Sequence, residues 1–145
     1  MKTLPLLVFT LIFSTAYCNA QTLYGADIYG VKNKTIGFLE NGKIYSADSY
    51  GVKDRVVAFV LDGKVYAADK YQLKANLIGY IESKTIYFAD AYRIKAKAAA
   101  FLADGKVYAA DNYGLKSTLV GFYEGDSNTG AACAAILLLL HRAYK

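Results

Sequence analysis

Five consecutive segments of this chain are versions of one another, beginning at Tyr24, Tyr45, Tyr66, Tyr87 and Tyr108 with a constant spacing of 21 residues and no insertion. Repetition this strict means one supersecondary unit stacked on, or closed against, its own copies. Written from its first residue the unit is Y-x-A-D-x-Y-x-[VLI]-K-x-x-x-x-[GA]-[FY]-x-x-x-x-x-x, and ten of the 14 tyrosines fall in two of its columns. Each unit holds two turn signals. One is Asn41-Gly42, Asp62-Gly63 and Asp104-Gly105, replaced by Ser83-Lys84 in the third unit; such pairs between β-branched and aromatic residues mark tight hairpins. The other is Asp-x-Tyr-Gly, as in Asp48-Ser49-Tyr50-Gly51, where Asp accepts backbone hydrogen bonds and Gly supplies a positive φ. Gln72 and Arg93 stand where that Gly is expected, which predicts local strain. Two turns per unit leave strands of about six or seven residues in an up-and-down antiparallel meander. A four-stranded propeller blade needs a period of about 40.

Pairing across both turns divides the columns into two faces. In the second unit one face holds Ser46, Asp48, Val52, Asp54, Val56, Ala58, Val60 and Val65, and the other Tyr45, Ala47, Lys53, Arg55, Val57, Phe59, Leu61 and Lys64. The second face gathers most of the basic residues and Glu40, Glu82 and Glu124, so it is read as solvent-facing and the first as interior. The middle of the interior is small in every unit (Gly37, Ala58, Gly79, Ala100, Gly121), which leaves room for another element.

The repeat stops after Glu124. Ser127, Asn128 and Thr129 offer helix caps before the unbroken apolar run Ala131-Ala132-Cys133-Ala134-Ala135-Ile136-Leu137-Leu138-Leu139-Leu140, followed by His141, Arg142 and Lys145, which suit a helix C-terminus. A helix with no polar face is buried or in a membrane, and this one is too short to span a bilayer. Ten strands about 4.8 Å apart, tilted near 40°, close into a barrel of radius roughly 10 Å. A helix of radius about 5 to 6 Å fits inside with one layer of small side chains around it. The chain starts with half a hairpin (22–27) and ends with the complementary half (116–124), so the ends can pair and remove both sheet edges. The prediction is one domain, 21–145: a closed ten-stranded antiparallel barrel of five 21-residue repeats around a central apolar α-helix at about 130–142, with the alanine half at the narrower end and the leucine half at the wider.

The first 20 residues read as a cleaved signal peptide: Lys2, an apolar run from Leu4 to Phe13, then Cys18-Asn19-Ala20 before Gln21. Tyr17 before Cys18 disfavours a lipid anchor. The implied location is secreted or periplasmic. Cleavage after Ala20 leaves Cys133 without a disulfide partner and a net charge of +4, too weak to argue for nucleic acid.

The Tyr-x-Ala-Asp-x-Tyr units, their five-fold count and the apolar C-terminal tail resemble the small secreted bacterial proteins called five-fold β-flowers, across essentially the whole mature chain. Those proteins look like shrunken relatives of the Tubby C-terminal barrel, which also encloses an apolar helix. Tubby barrels bind phosphoinositides, but no matching site motif occurs here and no residue role is carried over.

Chemistry is sparse. Asp27, Asp48, Asp69, Asp90 and Asp111 are read as turn caps rather than a cation ring, since Ca²⁺ needs six to eight converging oxygens. The buried-helix residues Cys133, Ile136, Leu137, Leu138, Leu139 and Leu140 are read as core, and Cys133 and His141 form no dyad. No catalytic set, metal site or cofactor motif is apparent. Candidate binding residues lie on the outer face: Tyr45, Lys53, Phe59, Tyr66, Lys74, Tyr87, Lys95, Phe101, Tyr108 and Lys116. An aromatic and basic exterior suggests a non-enzymatic scaffold or binding module, with anionic lipid or polysaccharide as partner classes and self-association through the aromatic belt left open. Alternatives are an open hairpin solenoid that binds carbohydrate or cell wall, similar to choline-binding repeats, and a Tubby-like barrel that binds lipid or a membrane surface. A third places Leu137 to Leu140 directly in lipid.

Overall fold

A computed structural model describes residues 20–125 and 129–143; residues 1–19 of the predicted signal peptide, the caps Ser127 and Asn128, and Lys145 lie outside them, and of Thr129, Arg142 and Ala143 only the backbone is described. Ten strands follow in order: β1 (Gln21–Ala26), β2 (Lys32–Glu40), β3 (Lys43–Ala47), β4 (Lys53–Leu61), β5 (Lys64–Ala68), β6 (Lys74–Glu82), β7 (Thr85–Ala89), β8 (Lys95–Ala103), β9 (Lys106–Ala110) and β10 (Lys116–Glu124). A single helix, α1 (Thr129–Ala143), ends the described chain. Every strand pairs antiparallel with its sequence neighbours, and β1 pairs β10 with Thr22 opposite Glu124 and Tyr24 opposite Phe122, so the sheet is a closed barrel. Closure rules out the open solenoid.

The hairpin turns form as the sequence demands. Asn41, Asp62 and Asp104 sit at φ of 49° to 50° and are followed by glycines at 69° to 75°, while Ser83 takes φ 51° in the third unit. At the second turn Gly30, Gly51 and Gly114 lie at φ 72° to 77°, and Gln72 and Arg93 are held at φ 63° in the same place. A side chain in this left-handed region costs about 1–2 kcal/mol relative to glycine's freedom there, so the predicted strain is present.

Strand lengths differ from the expected six or seven residues: after β1 they alternate between nine and five. The long strands carry extra residues. Between β3 and β4 the register runs Ile44 opposite Ala58, then Tyr45 opposite Val56, then Ala47 opposite Lys53, so β4 has one surplus residue at each step. The pairs β1/β2, β5/β6, β7/β8 and β9/β10 repeat both shifts. These are β-bulges, and a one-residue slip moves every later side chain to the opposite face. Val57, read from simple alternation as outward, is therefore buried, as is Ala99 at the same column, with Ile36, Ile78 and Val120 packed against the core. Val56, read as inward, lies opposite outer-face Tyr45. Asp48, Val52 and Asp54 are likewise not core: all three are exposed.

α1 lies inside the barrel. Ala131 through Ile136 are 0–1% exposed, Leu139 is 8% exposed, and Leu137, Leu138 and Leu140 are half-buried against the core, so the leucine run lies within the barrel in this structure. Fifteen helical residues rise about 22 Å, enough to run the length of the barrel. The direction follows from contacts: a Cβ on Gly130 would meet Ile81 and the Ser83 carbonyl beside a hairpin turn, whereas Leu139 borders the Asp-x-Tyr-Gly turns. The alanine half thus fills the hairpin end, and the leucine half reaches the other. The small interior column makes this fit possible. A Cβ on Gly121 would stand 2.5 Å from the Tyr24 carbonyl and 2.7 Å from Ile136 Cγ2, and one on Gly37 would collide with Leu139 and the Tyr45 carbonyl.

Candidate functional site

Two fivefold surfaces come out of the repeat. The first is the belt around the outside of the barrel. The two outer aromatic columns meet across strand pairs in every unit: Phe38 with Tyr45, Phe59 with Tyr66, Tyr80 with Tyr87, Phe101 with Tyr108 and, across the closing seam, Phe122 with Tyr24. A lysine covers each of these tyrosine rings, with Lys32, Lys53, Lys74, Lys95 and Lys116 at 4.5–4.8 Å from the ring centroids. In three units the lysine also reaches a glutamate of the preceding unit: Lys53 with Glu40, Lys95 with Glu82 at 2.7 Å, and Lys32 with Glu124. The last pair bridges the two ends of the repeat, where the Tyr24 hydroxyl also donates to Glu124 at 3.2 Å. The hydrogen bond from Lys32 holds the Glu124 carboxyl below its ordinary value, and Lys32 and Lys95 are raised by the hydrogen bonds to their glutamates. All these groups are solvated, so the pairs add little to stability. In the other two units Leu61 and Ala103 occupy the glutamate column.

The belt therefore brings together the residues singled out from the sequence, but it brings them onto one another. Tyr45, Phe59, Tyr66, Tyr87, Phe101 and Tyr108 are half-buried against cross-strand partners, and the lysines lie over the tyrosines. Cross-strand aromatic pairs of this kind stabilise a sheet.

The second surface was missed by sequence reasoning. At the Asp-x-Tyr-Gly turns the barrel ends in a crown: Tyr29, Tyr50, Tyr71, Tyr92 and Tyr113 are 70–89% exposed, and beside them Val31, Val52, Leu73, Ile94 and Leu115 are 57–64% exposed. Ile28 adds a further apolar side chain at 90%. The turns that carry them are fixed from below. In each, the Asp carboxylate accepts the backbone N–H of the tyrosine and that of the aliphatic residue two positions later, at 2.8–2.9 Å, as Asp48 does from Tyr50 and Val52. The Asp N–H in turn donates to the carbonyl of that aliphatic residue at 2.8–2.9 Å. At the two strained positions further bonds help: the Gln72 side chain accepts the Val56 N–H at 2.9 Å, and the Arg93 carbonyl accepts the Tyr80 hydroxyl. A signal for the crown was present in the sequence, since a turn of this type needs Asp and Gly but has no requirement for a large aromatic between them.

Charge divides the two ends as well. The crown segments (27–34, 48–55, 69–76, 90–97 and 111–118) hold ten basic and six acidic residues, a net +4. The hairpin segments (40–44, 61–65, 82–86, 103–107 and 124) hold four basic and five acidic, a net −1.

Inside the crown, between the first two units, a cavity of about 660 Å³ opens above Leu139. Lys34 and Arg55 share its wall with Asp48 and Asp54, so opposite charges balance there. Cys133 is enclosed, and burial pushes its thiol up to about 12, which leaves it protonated and inert at neutral pH. His141 is exposed on the last turns of α1. Among the described residues no group of three His, Cys, Asp or Glu comes together in a way that could hold a metal, and no described helix is long and apolar enough to cross a membrane.

No family model matches this chain, and neither the curated proteins nor the solved structures contain a significant match. The class the fold defines is thus architectural: a ten-stranded antiparallel barrel closed around its own C-terminal helix.

Proposed function

We propose that the protein is a non-enzymatic binding module, exported after removal of residues 1–20, which engages its partner through the turn crown at the basic end of the barrel. One observation carries this reading. Ten large apolar side chains in two adjacent rings are more than half exposed at one end of a rigid barrel, each on a turn pinned by two hydrogen bonds to an Asp carboxylate. Monomeric proteins rarely gather so many large exposed apolar side chains at one end without using them. The turn residues need no such side chains to fold. The belt, by contrast, has its aromatics paired and its lysines engaged, which suits a girdle that holds the barrel together. The closed five-unit barrel around an apolar helix also supports kinship with the β-flower proteins.

The test compares the full mature chain with a variant in which the five crown tyrosines (Tyr29, Tyr50, Tyr71, Tyr92, Tyr113) are replaced by serine. Three probes cover the chemistries an apolar, basic rim can meet: vesicles of phosphatidylcholine and phosphatidylglycerol (7:3), insoluble peptidoglycan and polysaccharide, and the protein itself in sedimentation velocity. At least one probe should hold the parent chain, and the folded variant should lose that binding tenfold or more. Absence of crown-dependent binding in all three would remove the proposal.

A further inference from the structure

We infer that the partner of the crown is the surface of a lipid bilayer containing anionic lipid, into which the five turns dip without crossing it. This rests on the binding reading above and goes further by naming the occupant.

Three features of the crown select a bilayer over the other candidates. Its side chains alternate between tyrosine and a branched or leucine aliphatic, as in Tyr50 and Val52 or Tyr92 and Ile94. Sugar recognition uses aromatic faces flanked by directional hydrogen-bonding groups, and Val31, Val52, Leu73, Ile94 and Leu115 offer none. Tyrosine, with an apolar ring and a polar tip, is suited to the boundary between hydrocarbon and headgroup. Second, the cations sit one step behind the apolar tips. The first strand residue after each turn is Lys32, Lys53, Lys74, Lys95 or Lys116, whose ammonium groups turn back over the belt tyrosines, so the cations nearest the tips are others. Lys34, Arg55 and Lys97 follow two residues later, and Lys70 and Arg93 lie within the turns themselves. Apolar tips below a collar of long basic side chains match an anionic membrane in depth as well as in sign, since such side chains keep their charge at the headgroup level. Third, the five turns follow from one repeat in a closed ring, so their tips lie around one end of the barrel and meet a broad surface together. A convex protein partner would meet only some of them.

The chain contains no tryptophan, so one introduced residue reports without background. Tyr50→Trp places the reporter in the crown, and Leu61→Trp places it at the hairpin end of the barrel. On addition of the 7:3 phosphatidylcholine and phosphatidylglycerol vesicles, Tyr50→Trp fluorescence should shift to the blue and be quenched by lipid brominated near the headgroup. Leu61→Trp should show neither change. Pure phosphatidylcholine vesicles should hold the protein at least tenfold more weakly, and raising salt from 0.1 to 0.5 M should weaken the anionic case severalfold. The five-serine crown variant should lose vesicle binding tenfold or more.

Equal signals from the two reporters, or vesicle binding unaffected by the serine variant, would overturn the inference. Crown-dependent binding to polysaccharide with no vesicle binding would also overturn it, while leaving the binding-module reading intact. Silence in every arm would remove both.

Discussion

The two ends of this barrel are built from the same 21-residue unit and have opposite characters. At the hairpin end three of the four turns are Asn-Gly or Asp-Gly pairs, the enclosed helix presents alanines and Cys133 at 0–1% exposure, and the charges nearly cancel. At the crown end large apolar residues stand in solvent, positive charge accumulates, and the leucine half of the helix borders an open cavity. A repeat has two turns per unit, and closing it into a ring sends all turns of one kind to one end. Folding demands and surface chemistry are therefore separated by geometry, and mutations at the two places should separate in the same way.

The largest effect should come from removing the element that both ends share. Deleting residues 126–145 strips the barrel of its centre, including Ile136 and Leu139, whose burial is worth about 1.5–3 kcal/mol each. Summed over the helix this is comparable to the roughly 5–15 kcal/mol by which such domains are stable. The truncated chain should lose cooperative thermal unfolding and bind a hydrophobic dye; a sharp, reversible melt near that of the parent would show that the barrel stands hollow.

Next comes a contrast between core and crown. Gly121→Val forces side-chain atoms against Ile136 and the Tyr24 carbonyl and should cost about 1–3 kcal/mol or more. Tyr50→Ser, at 88% exposure, should change stability by about 0.5 kcal/mol or less. Chemical denaturation measures both. Equal losses would mean that the crown is structural after all.

The smallest effect sharpens the comparison within the crown. Arg93 occupies a left-handed position that its counterparts Gly30, Gly51 and Gly114 fill without strain. Arg93→Gly should stabilise the protein by about 0.5–1 kcal/mol, the relief of strain less the added freedom of glycine in the unfolded chain. Unchanged or lower stability would show that the Arg93 side chain offsets its own strain.

Most of the architecture was readable from the residues. The period, the turn pairs and a ten-residue apolar run too short for a bilayer required a ring with something inside it, and Gly37 and Gly121 now stand against Leu139 and Ile136. What alternation could not show was the bulges. Val56 and Val57 are the same residue type in neighbouring columns, so a slip between them leaves no trace in composition, and only the register reveals which one is buried. The crown was hidden by the same assumption. Carrying strict alternation into the turn assigned Val52 to the interior, when the second bulge and the turn expose it. The belt residues were recognisable as an outer aromatic and basic set, but their mutual engagement, Lys53 over Tyr45 and Phe59 beside Tyr66, depends on strand offsets that no column count supplies.

That α1 follows all ten strands also bears on the order of events in folding. The residues around which the barrel closes are made only after all ten strands, and the strands that close the ring, β1 and β10, bracket the entire repeat. Hairpins between sequence neighbours can form early, since their contacts are local. A barrel that shuts around α1 has to wait for that helix, so a chain still on the ribosome with only its strands free is expected to be an open ribbon.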